Sequence, residues 1–115
     1  MIRTLAELPV IAKMNARGGV GPTHSTAYLE QDHMAGVMAA GRTVLAPGSS
    51  IGEHAHPTTE ELYLVLEGHG QGVLDGRKFP VATGDLFVVK AGHSHGIIND
   101  SDAPLTYFGL MTSAS

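Results

Sequence analysis

The chain contains no cysteine and no tryptophan. Without thiols there is no disulfide framework, no cysteine-ligated zinc site and no thiol nucleophile; the lack fits either side of a membrane and leaves the redox compartment open. Aromatics are scarce, three Phe and three Tyr, which predicts an aliphatic core. Lys and Arg number only seven, scattered along the chain, against eleven Asp and Glu. A formal charge of -4 with no basic face argues against a nucleic-acid partner. No run approaches the roughly 18 apolar residues needed to span a bilayer. The opening MIRTLAELPVIAKMNARGG has no continuous apolar segment followed by a small-residue cleavage pattern. These features predict a mature N-terminus, a cytoplasmic protein and no membrane partner.

Glycine, by contrast, is abundant: 15 of 115 residues, against a usual ~7%. Together with a 43% hydrophobic composition, this predicts one all-β domain over residues 1–115 built from short strands and tight turns. Thr4 to Pro9 has the spacing of a capped helical turn, and residues 15–22, NARGGVGP, read as an irregular loop. Strand-like stretches follow at 24–31, at 37–38 with 42–46, and at 61–67, 70–74, 77–81, 86–89, 95–98 and 105–111. A helix over 34–40 is the weaker alternative for its segment, because Gly36 and Gly41 bound it. Asp75-Gly76 marks a hairpin. Within 61–67, Leu62, Leu64 and Leu66 share one face, and Glu61, Tyr63, Val65 and Glu67 the other. Periodicity does not choose between a barrel and a sandwich.

The chemistry concentrates in two segments. His54 and His56 are two residues apart, so on a strand they point to one side and can converge on one ion. Glu61 follows across the Pro57-Thr58-Thr59 corner at the start of an apolar strand, where a carboxylate facing inward needs a cationic partner. Glu60 then faces outward. The second segment, residues 92–99, GHSHGIIN, offers His93 or His95 as a distant partner. Imidazole and carboxylate together are ligands for a divalent transition metal; solvated, hydrogen-bonded histidines are the structural alternative. Tyr63, on the face of Glu61, is a candidate proton or hydrogen-bond donor, or a wall residue. Arg17 is a candidate clamp for a substrate carboxylate, or a solvated arginine.

These residues resemble a known family. Gly48, His54, His56, Glu61 and Gly68 stand at the spacing of the first cupin motif, and Gly84, Gly92, His95 and Asn99 at that of the second. Lys90 departs from the proline usual there, which alters turn rigidity but removes no ligand. The resemblance implies a cupin-type jelly-roll β-barrel holding one divalent metal (Fe, Mn, Ni, Co or Zn) through His54, His56, Glu61 and His95. It also implies open coordination positions for a small-molecule substrate. The expected function is a metal-dependent enzyme of dioxygenase, isomerase or lyase type, with Tyr63, His93 and Arg17 handling protons or charge. The alternative is a non-catalytic metal-binding or sensor module. A homodimer is expected, with the apolar arm of residues 1–25 at its interface or folded back on its own barrel.

Overall fold

Ten strands alternate with short turns, as the glycine content requires. The computed structural model describes residues 1–114. The strands are β1 (Ile11–Met14), β2 (Pro22–Leu29), β3 (Val37–Leu45), β4 (Ser50–Ala55), β5 (Thr59–Glu67), β6 (His69–Leu74), β7 (Arg77–Ala82), β8 (Leu86–Val89), β9 (Ser94–Ile98) and β10 (Leu105–Ser113). They form two sheets in the orders β1-β2-β3-β10-β5-β8 and β4-β9-β6-β7, with all pairs antiparallel. Apart from β1-β2-β3 and the β6–β7 hairpin, neighbours in each sheet are distant in sequence, and the chain crosses repeatedly between sheets, which is a jelly-roll.

The expected strands are present with small shifts of their ends. Three readings need correction. Val37–Leu45 is one strand, neither two pieces nor a helix, because pairing on both sides with β2 and β10 overrides the Ala and Met preference. An extra strand, β1, precedes the one expected first. The loop at 15–22 contains a short 3-10 turn at Ala16–Gly18. The Asp75-Gly76 hairpin joins β6 to β7, and both residues have positive φ, 48° and 78°, as a type I′ turn requires.

The core lies between the sheets. Leu45, Val65, Val89, Ile97 and Leu105 are almost wholly buried. The core is not wholly aliphatic, contrary to expectation. Tyr63, Phe87 and Tyr107 are buried together, with ring centroids 4.2 Å apart for Tyr63–Tyr107 and 5.4 Å for Tyr63–Phe87. The few aromatics are concentrated rather than spread. On β5 the Glu61–Tyr63–Val65 face is the inner one; Leu62 and Leu64 look outward beside Val88, Leu86, Leu110 and Phe108, and Leu66 is 44% exposed.

Asn99 locks the end of the barrel away from the histidines. Its Nδ2 donates to the carbonyls of Leu45 (3.1 Å), Ala46 (3.2 Å) and Ala103 (2.8 Å), and its Oδ1 accepts from Ser101 N–H (3.0 Å). The residue is fully buried and ties the β3–β4 turn to the β9–β10 turn. Asn99→Ala is therefore expected to cost on the order of 3 kcal/mol by leaving buried carbonyls unpaired. Urea denaturation checks this, and a change within experimental error would contradict it.

Candidate metal centre

Two strands of one sheet and one of the other supply the site. His54 and His95 are direct cross-strand partners on β4 and β9. The register slips between Ile51 and His54: three steps along β4 match two along β9, from Ile97 to His95. Such a bulge changes which face a side chain takes, so that Ile51 and His54 both point inward. His56 lies one residue past β4, in the corner leading to β5. The corner is held by His56 N–H to His93 O at 3.0 Å and Gly92 N–H to His56 O at 2.8 Å, which stitches the two histidine segments together. Glu61 comes from the opposing sheet, on β5, flanked by Val89 of β8 and Met111 of β10.

The four side chains bring one ligand atom each to within 4.8 Å of one another. His56 Nε2 lies 3.0 Å from His95 Nε2, and Glu61 Oε1 lies 3.1 Å from His95 Nε2 and 3.4 Å from His56 Nε2. At metal–ligand bonds of about 2.1 Å, adjacent ligands on one ion stand roughly 3.0–3.4 Å apart, so these separations suit a shared ion. Hydrogen bonding orients two of the rings. His54 Nδ1 donates to Gly52 O at 2.7 Å, which turns its Nε2 lone pair toward the cluster, and His56 Nδ1 pairs with Thr59 Oγ1 at 2.9 Å. His95 is fully buried and its Nδ1 lacks a hydrogen-bond partner among the described residues; packing against Tyr63, at 4.4 Å between ring centroids, holds it instead. Three nitrogen donors and one carboxylate are the chemistry of a divalent transition ion, and these residues fit one.

A cavity of about 440 Å³ opens onto this cluster, lined among others by Arg17, Tyr63, Tyr107 and Met111. Burial raises the Tyr63 hydroxyl well above its ordinary 10.0, with the neighbouring Tyr107 adding to the shift. Burial also raises Tyr107, against hydrogen bonds to Thr43 and Tyr63 that lower it. Both phenols keep their protons; Tyr63 donates to Tyr107, which accepts from Tyr63 and Thr43. Arg17 lines the cavity at its exposed side. His93 does not: its Nδ1 donates to Asp75 Oδ2 at 2.6 Å, at a half-exposed position outside the lining, so the expectation that it serves at the site is corrected. Gly92 N–H and His93 O are both bonded to His56, and that backbone anchoring leaves the His93 ring outside. Sequence reasoning missed Tyr107 and Thr43; the alternation of β10, with Leu105, Tyr107 and Gly109 on the inner face, carries that signal.

Burial lowers the pKa of His54 and of His56 below 6.5, with repulsion from His95 acting in the same direction. The unfolded chain therefore binds protons near pH 6.5 that the folded chain does not. Stability present above 6.5 is lost as the pH falls from 6.5 through the lowered folded values. For metal-free protein, the urea midpoint is expected to drop between pH 7.5 and 5.5, and less so in the His54→Gln/His56→Gln variant. A midpoint that holds or rises in the unsubstituted protein would contradict neutral, buried imidazoles.

The comparisons agree with this geometry. A profile for the cupin domain (Cupin_2) matches residues 41–112, more than half of the chain and the whole ligand set. A structure from Thermotoga maritima described as a predicted oxalate decarboxylase superposes with a TM-score of 0.94 at 29% identity, over 98% of this chain and 99% of that one. A sugar phosphate isomerase from Silicibacter pomeroyi (TM-score 0.80, 23% identity, 97% and 75% covered) shares the fold. So does a Cupin 2 conserved barrel domain protein from Salinispora arenicola (0.77, 23%, 99% and 89%). No curated protein matches the chain. With two sheets closing on a three-histidine, one-glutamate cluster and the family profile spanning both motifs, the chain belongs to the cupin superfamily.

Proposed function

We propose that the protein is a metal-dependent enzyme acting on a small polar organic molecule in the cavity between the sheets. The single observation behind this reading is the convergence of His54, His56, Glu61 and His95 beside a cavity large enough for a substrate. A divalent transition ion held by these four residues supplies Lewis acidity toward substrate oxygens. Fe, Mn, Ni, Co and Zn all accept such a donor set. Of the dioxygenase, isomerase and lyase types that suit the site, the lyase type is favoured by the description of the Thermotoga maritima protein as a predicted oxalate decarboxylase.

The roles of the chain's own residues follow from their surroundings. Gly52 O and Thr59 Oγ1 orient the rings of His54 and His56. Tyr63, held protonated by burial, donates to Tyr107 and turns that O–H to a substrate oxygen only by giving up this bond; it does not carry a proton away. Arg17 offers a positive charge at the cavity's open side. Association into a homodimer belongs to the same proposal. Ile2, Val10 and Ile11 are 89%, 60% and 53% exposed, and the outer leucine face of β5 adjoins exposed Leu86 and Val88, more apolar surface than an isolated domain needs.

Metal loading tests the reading. His54→Ala is expected to keep the β-sheet circular dichroism and to weaken metal affinity by more than about 100-fold, beyond the effect of losing a residue that only supports a ligand. Elemental analysis after gel filtration reads this out, and unchanged occupancy removes His54 from the ligand set. Full occupancy with no turnover across a broad substrate panel would favour a binding or sensor module.

A further inference from the structure

The wall of the cavity has two sides of different character. Along the six-stranded sheet, Met111 stands opposite Glu61 on one side and Ala39 on the other, and Leu29 stands opposite Ala40 on the next strand. Met111, Ala39, Leu29, Ala27 and Met38 line the cavity near Glu61, whereas the hydroxyls of β2 and β3, such as Ser25 and Thr43, line it further along the sheet, so the wall is apolar only in the part beside Glu61. The facing side carries His54, His56 and Arg17. Lys13 and Glu30 also lie in the lining, and Glu61 faces His56 and His95. Arg17 stands without an ion-pair partner: among the described residues no carboxylate lies within pairing distance of it. Its field reaches His54, His56 and Tyr63.

Arg17 is also held where it is at some cost. Its φ of 54° and ψ of 35° lie in the left-handed region, which non-glycine residues seldom occupy. The loop around it is closed by Gly21 N–H to Asn15 Oδ1 (2.9 Å), Gly18 N–H to Asn15 O (3.2 Å) and Val20 N–H to Ser50 Oγ (2.9 Å). Beneath it, β4 approaches so closely that a Cβ on Gly52 would collide with Arg17 O and stand 2.7 Å from Gly19 N. Only glycine fits there. Strain of this kind recurs at ligand-binding positions, and here it holds an exposed Arg17 at the rim of the cavity.

We infer that the substrate is an amphipathic carboxylate, its carboxyl group on Arg17 and its apolar body along Met111, Ala39 and Leu29. The inference rests on the proposed function only for the cavity being the substrate site; neither the carboxyl contact nor the apolar contact uses a metal ligand. A two-carbon diacid satisfies the cationic side but leaves the apolar wall wet, and a cavity of about 440 Å³ falls within the range that takes a much larger molecule. The guanidinium presents paired donors to a carboxylate, a geometry that lysine does not reproduce.

Calorimetry on Co(II)-loaded protein tests this with 3-phenylpropionate, 3-phenylpropan-1-ol and oxalate. The acid is expected to bind at least about tenfold more tightly than the alcohol, which corresponds to about 1.4 kcal/mol, and more tightly than oxalate. Arg17→Asn, chosen because asparagine tolerates the left-handed conformation, should abolish the advantage of acid over alcohol without moving the melting temperature; Arg17→Lys should restore part of it. Met111→Gln should weaken the acid and the alcohol together. An acid-to-alcohol ratio unchanged by Arg17→Asn, or tighter binding of oxalate than of 3-phenylpropionate, overturns the inference. Failure of the protein to change the Co(II) spectrum would instead defeat the metal reading, and the acid–alcohol comparison on metal-free protein would still decide the role of Arg17.

Discussion

The structure turns on four donor side chains gathered in the interior of the barrel. His54, His56, His95 and Glu61 converge there, and the His54 ring has its proton fixed on Nδ1 by the Gly52 carbonyl. His56 Nε2, His95 Nε2 and Glu61 Oε1 stand 3.0–3.4 Å apart, spacings that shared protons or one cation at their centre satisfy in a poorly solvated interior. A core selected for stability alone would place aliphatic side chains at these positions, as it does at Val65, Val89 and Ile97. The cluster is therefore best understood as something the fold supports for the sake of binding.

That support comes from both sheets and from the corner between them. The bulge in β4 turns His54 inward, the backbone bonds between His56 and the 92–93 segment bring the two histidine segments together, and antiparallel pairing with β8 and β10 fixes Glu61 on the other side. Tyr63 and Phe87 of the core, with Tyr107 stacked behind Tyr63, pack against His95 where a hydrogen bond to its Nδ1 is lacking among the described residues. At the far end, Asn99 joins the two turns that lie beyond the β3–β10 and β4–β9 ladders. Packing and hydrogen bonding thus divide the work of holding the ligands in place.

Much of this is written in local patterns. Glycine and turn residues punctuate the chain closely enough to mark most strands, and Asp75-Gly76 forms the turn its residues demand. The four clustered residues were legible because motif spacing carries information about topology that period alone does not. What local pattern could not reveal depends on long-range register. The outward direction of the Leu62–Leu64–Leu66 face, the continuity of β3 across its alanines and glycine, and the presence of β1 are set by partners far away in sequence. His93 illustrates the same limit: two residues from His95, it turns away to Asp75, and only the anchoring of its backbone decides that. Tyr107 escaped notice because nothing beside it in sequence carries chemistry.

X-ray absorption at the cobalt edge of Co(II)-loaded protein addresses the central claim most directly. The account predicts a first shell containing three imidazole nitrogens, recognisable by their multiple scattering, with a carboxylate oxygen, all at about 2.1 Å. A shell of water and carboxylate oxygens without imidazole scattering would contradict it, and the cluster between the sheets would then have to be explained without a metal.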